Sequence, residues 1–221
     1  MKDWAIIFDV DGVLLELTRA EEELFFQPFA KRIDAKLLSR DWNSYAIRND
    51  EDIVREIVER YDLPASEVAI ITAEYLALLE HELSGSLKTE PVEGAAMLAG
   101  EFAEVARLGI ATANFRDAAK LRLQRAEMWH PVSDLAFGAD GGGHKSAILA
   151  RAINATGLPR SHIIFIGDNV NDVRAGLENA VHFIGFSSDA ARRKALAAAG
   201  AKTLCSHHGE TRVMIRQILN A

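Results

Sequence analysis

Two aspartates that directly follow a short apolar run near the start of the chain constrain its fold more than any other feature. Residues 4–8 are all apolar, and Asp9 and Asp11 come next, one residue apart. An isolated buried carboxylate is costly to keep charged, so something must offset that cost. Side chains two residues apart on an extended chain share a face, so both carboxylates can address one ligand. They either cap a surface turn or hold a cation and take part in chemistry.

Short apolar segments alternate with helical segments along the second part of the chain. This alternation is typical of a mainly parallel sheet with helices on both faces. It predicts an α/β fold with a Rossmann-like, three-layer core, in which residues 4–8 form one strand. A helix face over 97–105 is expected to end at Gly109. The other predicted strands are 109–113, 134–139, 162–167, 180–186 and 201–205, and further helices are predicted at 116–128, 145–155, 171–179, 189–199 and 210–219.

The segment between the first strand and residue 91 has helical periodicity only, which predicts an all-helical insert. We therefore divide the chain into an α/β core, residues 1–15 and 88–221, and a helical insert, residues 16–87. A chain of 221 residues is long enough for two such unequal domains.

Local signals predict where the helices of the insert begin. Thr18 and Glu21 fit a capping box. Apolar residues then recur at helix spacing from Phe26 to Leu37, and Pro28, which lacks a backbone N–H, is expected to kink or divide this helix. The later helices of the insert are predicted to begin at Asn49 or Asp50, and after Ser66.

Charge and cysteine content exclude several classes of function. The formal net charge of −7 offers no basic surplus for phosphates, which argues against a nucleic-acid partner. The single cysteine, Cys205, can form neither an internal disulfide nor a cysteine zinc site, which favours a cytoplasmic location. No apolar run approaches the roughly 18 residues that span a bilayer. Asp9 and Asp11 interrupt the N-terminal apolar stretch, so we expect neither a membrane span nor a signal peptide.

Polar side chains follow four of the predicted strands, at the point where each strand ends. In an open parallel sheet, ligands bind beyond the carboxyl ends of the strands, so these residues are expected to meet at one edge. They are Asp9 and Asp11, Thr112 and Asn114, Lys145 in the loop after the third strand, and Asp168 and Asp172.

The residue types at this edge suit phosphoryl transfer. Clustered carboxylates raise one another's pKa values unless a cation lies among them, and an all-oxygen ligand set suits Mg²⁺. Lys145 adds a positive charge and Thr112 a hydroxyl donor, both suited to phosphoryl oxygens. A metal, a cation, donors and a carboxylate that can attack phosphorus together indicate a phosphoryl-transfer site.

The order of these motifs resembles the haloacid dehalogenase superfamily. The matching features are FDVDGVL (8–14), a strand ending in Thr112, then Lys145, then GDNVND (167–172). The helical insert between the first two motifs is similar to superfamily phosphatases with a helical cap domain, in the phosphoglycolate phosphatase and β-phosphoglucomutase branch.

The resemblance implies a role for each aspartate of the first motif. Asp9 would be the nucleophile, forming an aspartyl-phosphate, and would also bind Mg²⁺. Asp11 would protonate the leaving oxygen and then activate water, while its backbone carbonyl would bind the metal. Family dehalogenases lack an acid at the position of Asp11, so its presence indicates a phosphate ester or a phosphomutase-like reaction.

The later motifs supply the remaining implied roles. Thr112, helped by backbone N–H groups near Asn114, would hold a phosphoryl oxygen, and Lys145 would offset developing negative charge. Asp168 would bind Mg²⁺ directly and Asp172 would complete the metal shell.

Plainer interpretations exist for several residues. Asn114 either contacts the substrate or caps a helix, and Asp168 and Asp172 could also cap the helix that follows them. Arg48, in the loop before the second helix of the insert, either reaches the substrate or is an exposed solubilising residue. The acidic run 21–23 is expected to form a solvated first helical turn. The histidine pair 207–208 is expected to be solvated as well.

The sequence thus predicts a Mg²⁺-dependent phosphatase acting on a small phosphorylated metabolite through an aspartyl-phosphate. A phosphomutase on the same scaffold is the alternative enzyme. A catalytically idle phosphate-binding protein is the alternative from another class.

Overall fold

A single parallel sheet lies at the centre of the computed structural model, which describes residues 2–220. Its strand order is β3-β2-β1-β4-β5-β6, and every adjacent pair is parallel. The first strand of the chain therefore occupies a central place, between the second and the fourth. The strands are β1 Ala5–Phe8, β2 Arg107–Ala111, β3 Ala136–Phe137, β4 Ile163–Gly167, β5 His182–Phe186 and β6 Thr203–Cys205.

Helices cover both faces of this sheet, which confirms the predicted three-layer α/β core. The helices of the core are α4 Ala95–Phe102, α5 Arg116–Arg125, α6 Lys145–Thr156, α7 Val170–Glu178, α8 Ala190–Ala198 and α9 His208–Leu219, and those of the insert are α1 Arg19–Phe26, α2 Asp50–Arg60 and α3 Glu67–Ser84. Helices α4, α5 and α9 pack on one face, and α6, α7 and α8 pack on the other. Within residues 2–220, no helix combines the length and apolar character needed to cross a membrane.

Strand β1 is apolar throughout because both of its faces are covered. Ile6 and Phe8 belong to the hydrophobic cluster under α4, α5 and α9. Ala5 and Ile7 point the other way, into the cluster under α6, α7 and α8. A central parallel strand requires such a continuous apolar run, and the run ends where the strand reaches the open edge of the sheet.

The helical insert has a hydrophobic core of its own. Its first helix begins with the predicted capping box: the Glu21 N–H donates to Thr18 Oγ1 at 3.3 Å, and the Thr18 N–H donates to Glu21 Oε2 at 2.9 Å. The buried residues of this core come from the three helices of the insert, from the segment between α1 and α2, and from two residues of the α/β core: Leu24, Phe25, Phe26, Phe29, Ile33, Leu38, Tyr45, Ile53, Val54, Ile57, Val58, Ile71, Tyr75, Leu79 and Leu83, with Phe115 and Ala118.

The predicted helical segment is divided at Pro28, as expected, but the part from Pro28 to Leu37 does not continue as an α-helix. Helix α1 ends at Phe26, and Gln27–Lys31, Ala35–Leu37 and Trp42–Ser44 form separate 3₁₀ turns. Pro28 explains the break, because a proline can donate no hydrogen bond to the turn before it. Leu37, placed on the apolar face by periodicity, is exposed.

The expected helix stop at Gly109 is also wrong. Helix α4 ends at Phe102, and Gly109 lies within β2, where it pairs with Ile7 of β1. Pairing with a central strand overrides the local tendency of glycine to end a helix. Met97 and Val105, assigned to the buried face of this helix, are exposed.

One residue of the histidine pair is buried, contrary to expectation. His208 stacks on Phe186 with a ring-centroid distance of 4.2 Å, and its Nε2 donates to the Val13 carbonyl at 2.8 Å. It therefore ties α9 to the loop that follows β1. His207 remains exposed.

The chain enters and leaves the helical insert at neighbouring points. Leu15 and Pro91 form an isolated antiparallel bridge. The Glu16 N–H donates to the Glu90 carbonyl at 2.8 Å, and the Val92 N–H donates to the Leu14 carbonyl at 3.0 Å. The predicted division into 1–15, 16–87 and 88–221 falls close to this crossing and stays a prediction.

Gly109 is expected to be required by packing. A Cβ at this position would lie 2.6 Å from both Cβ and the backbone oxygen of Leu135. Gly109→Ala should lower the free energy of unfolding by about 1–3 kcal/mol, measured by urea denaturation. Gly100→Ala is the matched control, because a Cβ there meets no other described atom within 4 Å. It should raise stability by up to about 1 kcal/mol, and equal effects of the two substitutions would contradict the packing argument.

Candidate active site

The polar residues predicted to meet at one edge of the sheet line a common cavity. This cavity of about 1000 Å³ lies between the core and the helical insert. Arg48 borders it from the insert. The core residues that line it include Asp9, Asp11, Thr112, Asn114, Lys145, Asp168 and Asp172. The placement of these residues is therefore as expected, while their individual roles stay predictions.

Lys145 lies between two carboxylates at the base of the cavity. It is the first residue of α6, and its Nζ is 2.7 Å from Asp9 Oδ1 and 3.0 Å from Asp172 Oδ1. Burial alone would lower the pKa of Lys145, but the charges of Asp172 and Asp9 outweigh it and raise that pKa. The lysine therefore stays charged between the two carboxylates.

Three buried aspartates form a group able to hold a metal ion. Asp9, Asp168 and Asp172 can each offer one carboxylate oxygen, and these oxygens lie within 4.8 Å of one another. Burial, partly offset by Lys145, raises the pKa of Asp9 to about 7. Burial and the nearby charge of Asp9 raise the pKa of Asp168 to about 6. A hard cation would favour the ionised forms, and the all-oxygen donor set fits Mg²⁺.

Gly12 allows the loop after β1 to approach this metal group. Its φ is +73°, and a Cβ there would lie 2.3 Å from Asp168 Oδ2. Only glycine adopts this left-handed backbone without strain and leaves room for the carboxylate. The loop can therefore pass directly beside Asp168.

Asp172 serves a helix as well as the site. Its Oδ2 accepts the Asn169 N–H at 3.0 Å within a capping box at the start of α7, and its Oδ1 contacts Lys145. The helix-cap interpretation is thus confirmed for this residue, while its role in the site stays a prediction.

Thr112 and Asn114 form a compact turn after β2. Thr112 Oγ1 donates to Asn114 Oδ1 at 3.1 Å and accepts the Asn114 N–H at 3.2 Å. The residue in the cap position of α5 is Phe115, so Asn114 is not the cap of that helix. Its contact with a substrate stays a prediction.

Arg48 is exposed at the cavity mouth. Its guanidinium donates to Asn43 Oδ1 at 3.0 Å, within the insert. Because it borders the cavity, a substrate contact stays a prediction.

The expectation that residues 21–23 form a solvated turn is wrong for Glu21. Its side chain is 3% exposed, and its Oε1 accepts from Arg122 Nε at 2.8 Å. Arg122 NH1 also lies 2.7 Å from Asp11 Oδ1. Burial alone would lower the pKa of Arg122, but Asp11 and Glu21 outweigh it and raise that pKa. The capping-box pattern in the sequence includes Glu21, whereas no local sequence pattern identifies Arg122.

Arg192 is a second residue that the sequence did not identify. It lies in the first turn of α8 and forms an ion pair with Asp168. Its side chain is half exposed at the border of the cavity.

The first turn of α2 contacts two core loops, the one that follows Thr112 and the one that precedes Lys145. The Phe115 N–H donates to Asp50 Oδ2 at 2.8 Å, after the turn of Thr112. The Gly143 N–H donates to Asp52 Oδ2 at 2.7 Å, just before Lys145.

Asn49 and Glu51 add hydrogen bonds to the second of these loops. Asn49 Nδ2 donates to the Gly143 carbonyl at 2.8 Å, and Glu51 Oε2 accepts the Gly141 N–H at 2.6 Å.

Comparison with known proteins gives one family match. The model of a family described as haloacid dehalogenase-like hydrolase matches residues 5–178. No curated protein gives a significant match to the chain.

Several solved structures share the fold over nearly their whole length. CbbY from Rhodobacter sphaeroides, solved in complex with phosphate, is 19% identical, with a TM-score of 0.73 and coverage of 94% of this chain and 95% of that chain. A predicted phosphatase from Clostridium acetobutylicum is 18% identical, with a TM-score of 0.72 and coverage of 98% and 100%. A Bacteroides vulgatus protein provisionally named a β-phosphoglucomutase is 15% identical, with a TM-score of 0.71 and coverage of 99% and 90%. At these identities the likeness shows the common fold alone.

Asp50 is expected to make stability depend on pH. Burial raises its pKa from 3.8 to about 7, against the opposing bond from the Phe115 N–H. Between these values the folded state binds more protons than the unfolded state, so the free energy of unfolding falls as pH rises. Asp50→Asn keeps an oxygen for the Phe115 N–H but removes the titrating carboxyl group, and with it this pH-dependent contribution to the free energy of unfolding. The free energy of unfolding, measured by urea denaturation, should therefore fall less between pH 5 and pH 8 for the variant than for the wild type.

The exposed Asp117 supplies the control for this measurement. Its side chain is 61% exposed, so Asp117→Asn should keep the pH dependence of the wild type. Identical pH dependence of unfolding in the wild type and in Asp50→Asn would contradict the prediction, because it would mean that folding does not raise the pKa of Asp50.

Proposed function

The chain belongs to the haloacid dehalogenase-like hydrolases, and on that basis we propose that it is a Mg²⁺-dependent phosphatase of a small phosphorylated metabolite. The family predicted from four motifs is confirmed, and the reaction is our proposal. The observation that carries it is the Asp9–Lys145 contact of 2.7 Å beside a group of carboxylates within 4.8 Å of one another. This arrangement combines a nucleophile, a fixed positive charge and a metal site in one cavity.

The phosphoryl group would bind at the base of the cavity. Lys145 Nζ and the hydroxyl of Thr112 would contact its oxygens, and the helical insert would exclude bulk water. Mg²⁺ held by Asp9, Asp168, Asp172 and the Asp11 carbonyl would supply further positive charge to these oxygens. CbbY, which shares the fold, binds phosphate, and this supports a phosphorylated substrate here.

The first step forms an aspartyl-phosphate. The Asp9 carboxylate attacks phosphorus, and the ester bond between phosphorus and the leaving oxygen breaks. The electron pair of that bond goes to the leaving oxygen, which takes a proton from the Asp11 carboxyl. Lys145 offsets the charge on the phosphoryl oxygens during transfer.

The second step returns the enzyme to its starting state. A water molecule attacks phosphorus and gives a proton to the Asp11 carboxylate. The bond between phosphorus and the Asp9 oxygen breaks, and its electron pair restores the Asp9 carboxylate. Asp11 ends protonated, as it began, and phosphate leaves.

Asp9→Asn should abolish hydrolysis of p-nitrophenyl phosphate, because an amide cannot form the acyl phosphate. Release of p-nitrophenol with Mg²⁺ present measures this. Asp3→Asn is the control, since Asp3 is an exposed carboxylate that precedes β1, and it should keep full activity. Full activity in Asp9→Asn would refute the aspartyl-phosphate. Turnover that depends on a bisphosphate activator would indicate a phosphomutase, and failure to hydrolyse any phosphate ester would favour a phosphate-binding protein.

Asp168→Asn should weaken Mg²⁺ binding by at least about 10-fold, measured by isothermal titration calorimetry without substrate. The amide keeps one oxygen but loses the charge that attracts the metal. Asp117→Asn, with its carboxylate on the surface of α5, should bind Mg²⁺ as the wild type does. Unchanged affinity in Asp168→Asn would place the metal elsewhere.

A further inference from the structure

A line of contacts between side chains runs from the helical insert to Asp11. The Thr18 N–H and hydroxyl each donate to Glu21 Oε2 at 2.9 Å, which holds one oxygen of that carboxylate. The other oxygen, Oε1, accepts from Arg122 Nε at 2.8 Å. Arg122 NH1 then lies 2.7 Å from Asp11 Oδ1. Each group in this line fixes the next.

The guanidinium of Arg122 has little freedom to turn. Besides its hydrogen bond to Glu21 and its ion pair with Asp11, it donates to Asn114 Oδ1 and to the Glu16 carbonyl, each at 3.3 Å. Its planar donors point in fixed directions, so a rotation that frees one contact breaks the others. Its side chain is 3% exposed, so water does not compete for these donors.

The contact with Asp11 engages only one carboxylate oxygen. Oδ1 is fully buried, although the Asp11 side chain as a whole is 24% exposed. The accessible part of this side chain therefore lies away from Arg122, on the side of the cavity that Asp11 lines. This arrangement fixes the carboxyl group and leaves it open to a substrate.

A role in stability alone accounts poorly for these contacts. Burying a charged pair costs as much desolvation energy as its attraction returns, so apolar residues of similar volume stabilise a core equally well. The geometry instead serves the group that must exchange a proton in both steps of the proposed reaction.

We propose that Arg122 is a positioning residue for Asp11 and that Glu21 in turn orients Arg122, an inference that rests on the proposed phosphatase reaction. Arg122 holds Oδ1 so that the rest of the carboxyl group faces the leaving oxygen in the first step and water in the second. The helical insert thereby contributes Glu21 to the orientation of a group on the core.

A double-substitution cycle with two substrates tests this role. An alkyl phosphate needs a proton on its leaving oxygen, whereas 2,4-dinitrophenyl phosphate does not. Arg122→Met should lower kcat/KM for the alkyl phosphate by about 100-fold and for the dinitrophenyl ester by less than about 5-fold. In an Asp11→Asn background, Arg122→Met should lower kcat/KM for the alkyl phosphate by less than about 3-fold further, because the two substitutions remove the same function.

Three further variants separate positioning from folding. Glu21→Gln keeps an acceptor for the capping box but loses its charge. It should therefore lower kcat/KM less than Arg122→Met does, and again more for the alkyl phosphate than for the dinitrophenyl ester. Arg122→Lys keeps the charge and should recover part of the activity. Arg125→Met changes an exposed arginine on the same helix and should leave both kcat/KM values unchanged. Glu21→Gln and Arg122→Lys carry the test if Arg122→Met does not fold.

Two results would overturn the inference while the proposed function stands. One is an equal loss for both esters, and the other is an additive loss in the Asp11→Asn background, each with an active wild type and an inactive Asp9→Asn. A wild type that hydrolyses neither ester would overturn the proposed function, and the inference with it.

Discussion

The contact between Lys145 and the buried carboxylates of Asp9 and Asp172 is the interaction on which the rest of the site depends. Parallel strands bring their carboxyl ends to one edge, so a sheet that carries acids there concentrates negative charge in a place with little water. One lysine offsets part of that charge, and the pKa values of Asp9 and Asp168 remain raised, to about 7 and about 6. Buried carboxylates grouped in this way are suited to a cation, which is the premise of the phosphatase reaction that we propose. Fold and chemistry thus share one electrostatic cause.

The helical insert takes part in building this site as well as covering it. The first turn of α2 bonds to the loop after Thr112 and to the loop before Lys145, through Asp50 and Asp52 respectively. Glu21 of α1 reaches Arg122 in the core. Both domains therefore determine the positions of the residues that would hold the phosphoryl group and move the proton.

The sequence predicted the architecture and the carboxylate group because both depend on local patterns. Apolar runs mark central strands such as β1, and acids that follow them fall at a known edge of the sheet. Pairings between distant segments leave no such pattern. Glu21 and Arg122 are 101 residues apart, and a capping box followed by two more glutamates resembles an ordinary exposed helix start. The helix before Gly109 was predicted too long for a related reason, since the start of β2 at Arg107 depends on pairing with β1, about a hundred residues away.

The bridge between Leu15 and Pro91 has a consequence for how such a chain diversifies. The two chain segments that join the insert to the core are hydrogen-bonded to each other, so the two ends of the insert are adjacent in space. Its length and sequence can change without altering the order or register of the strands that hold the aspartates. The insert can thus vary while these strands keep their pairing, within the limits set by contacts with the core such as those of Glu21, Asp50 and Asp52.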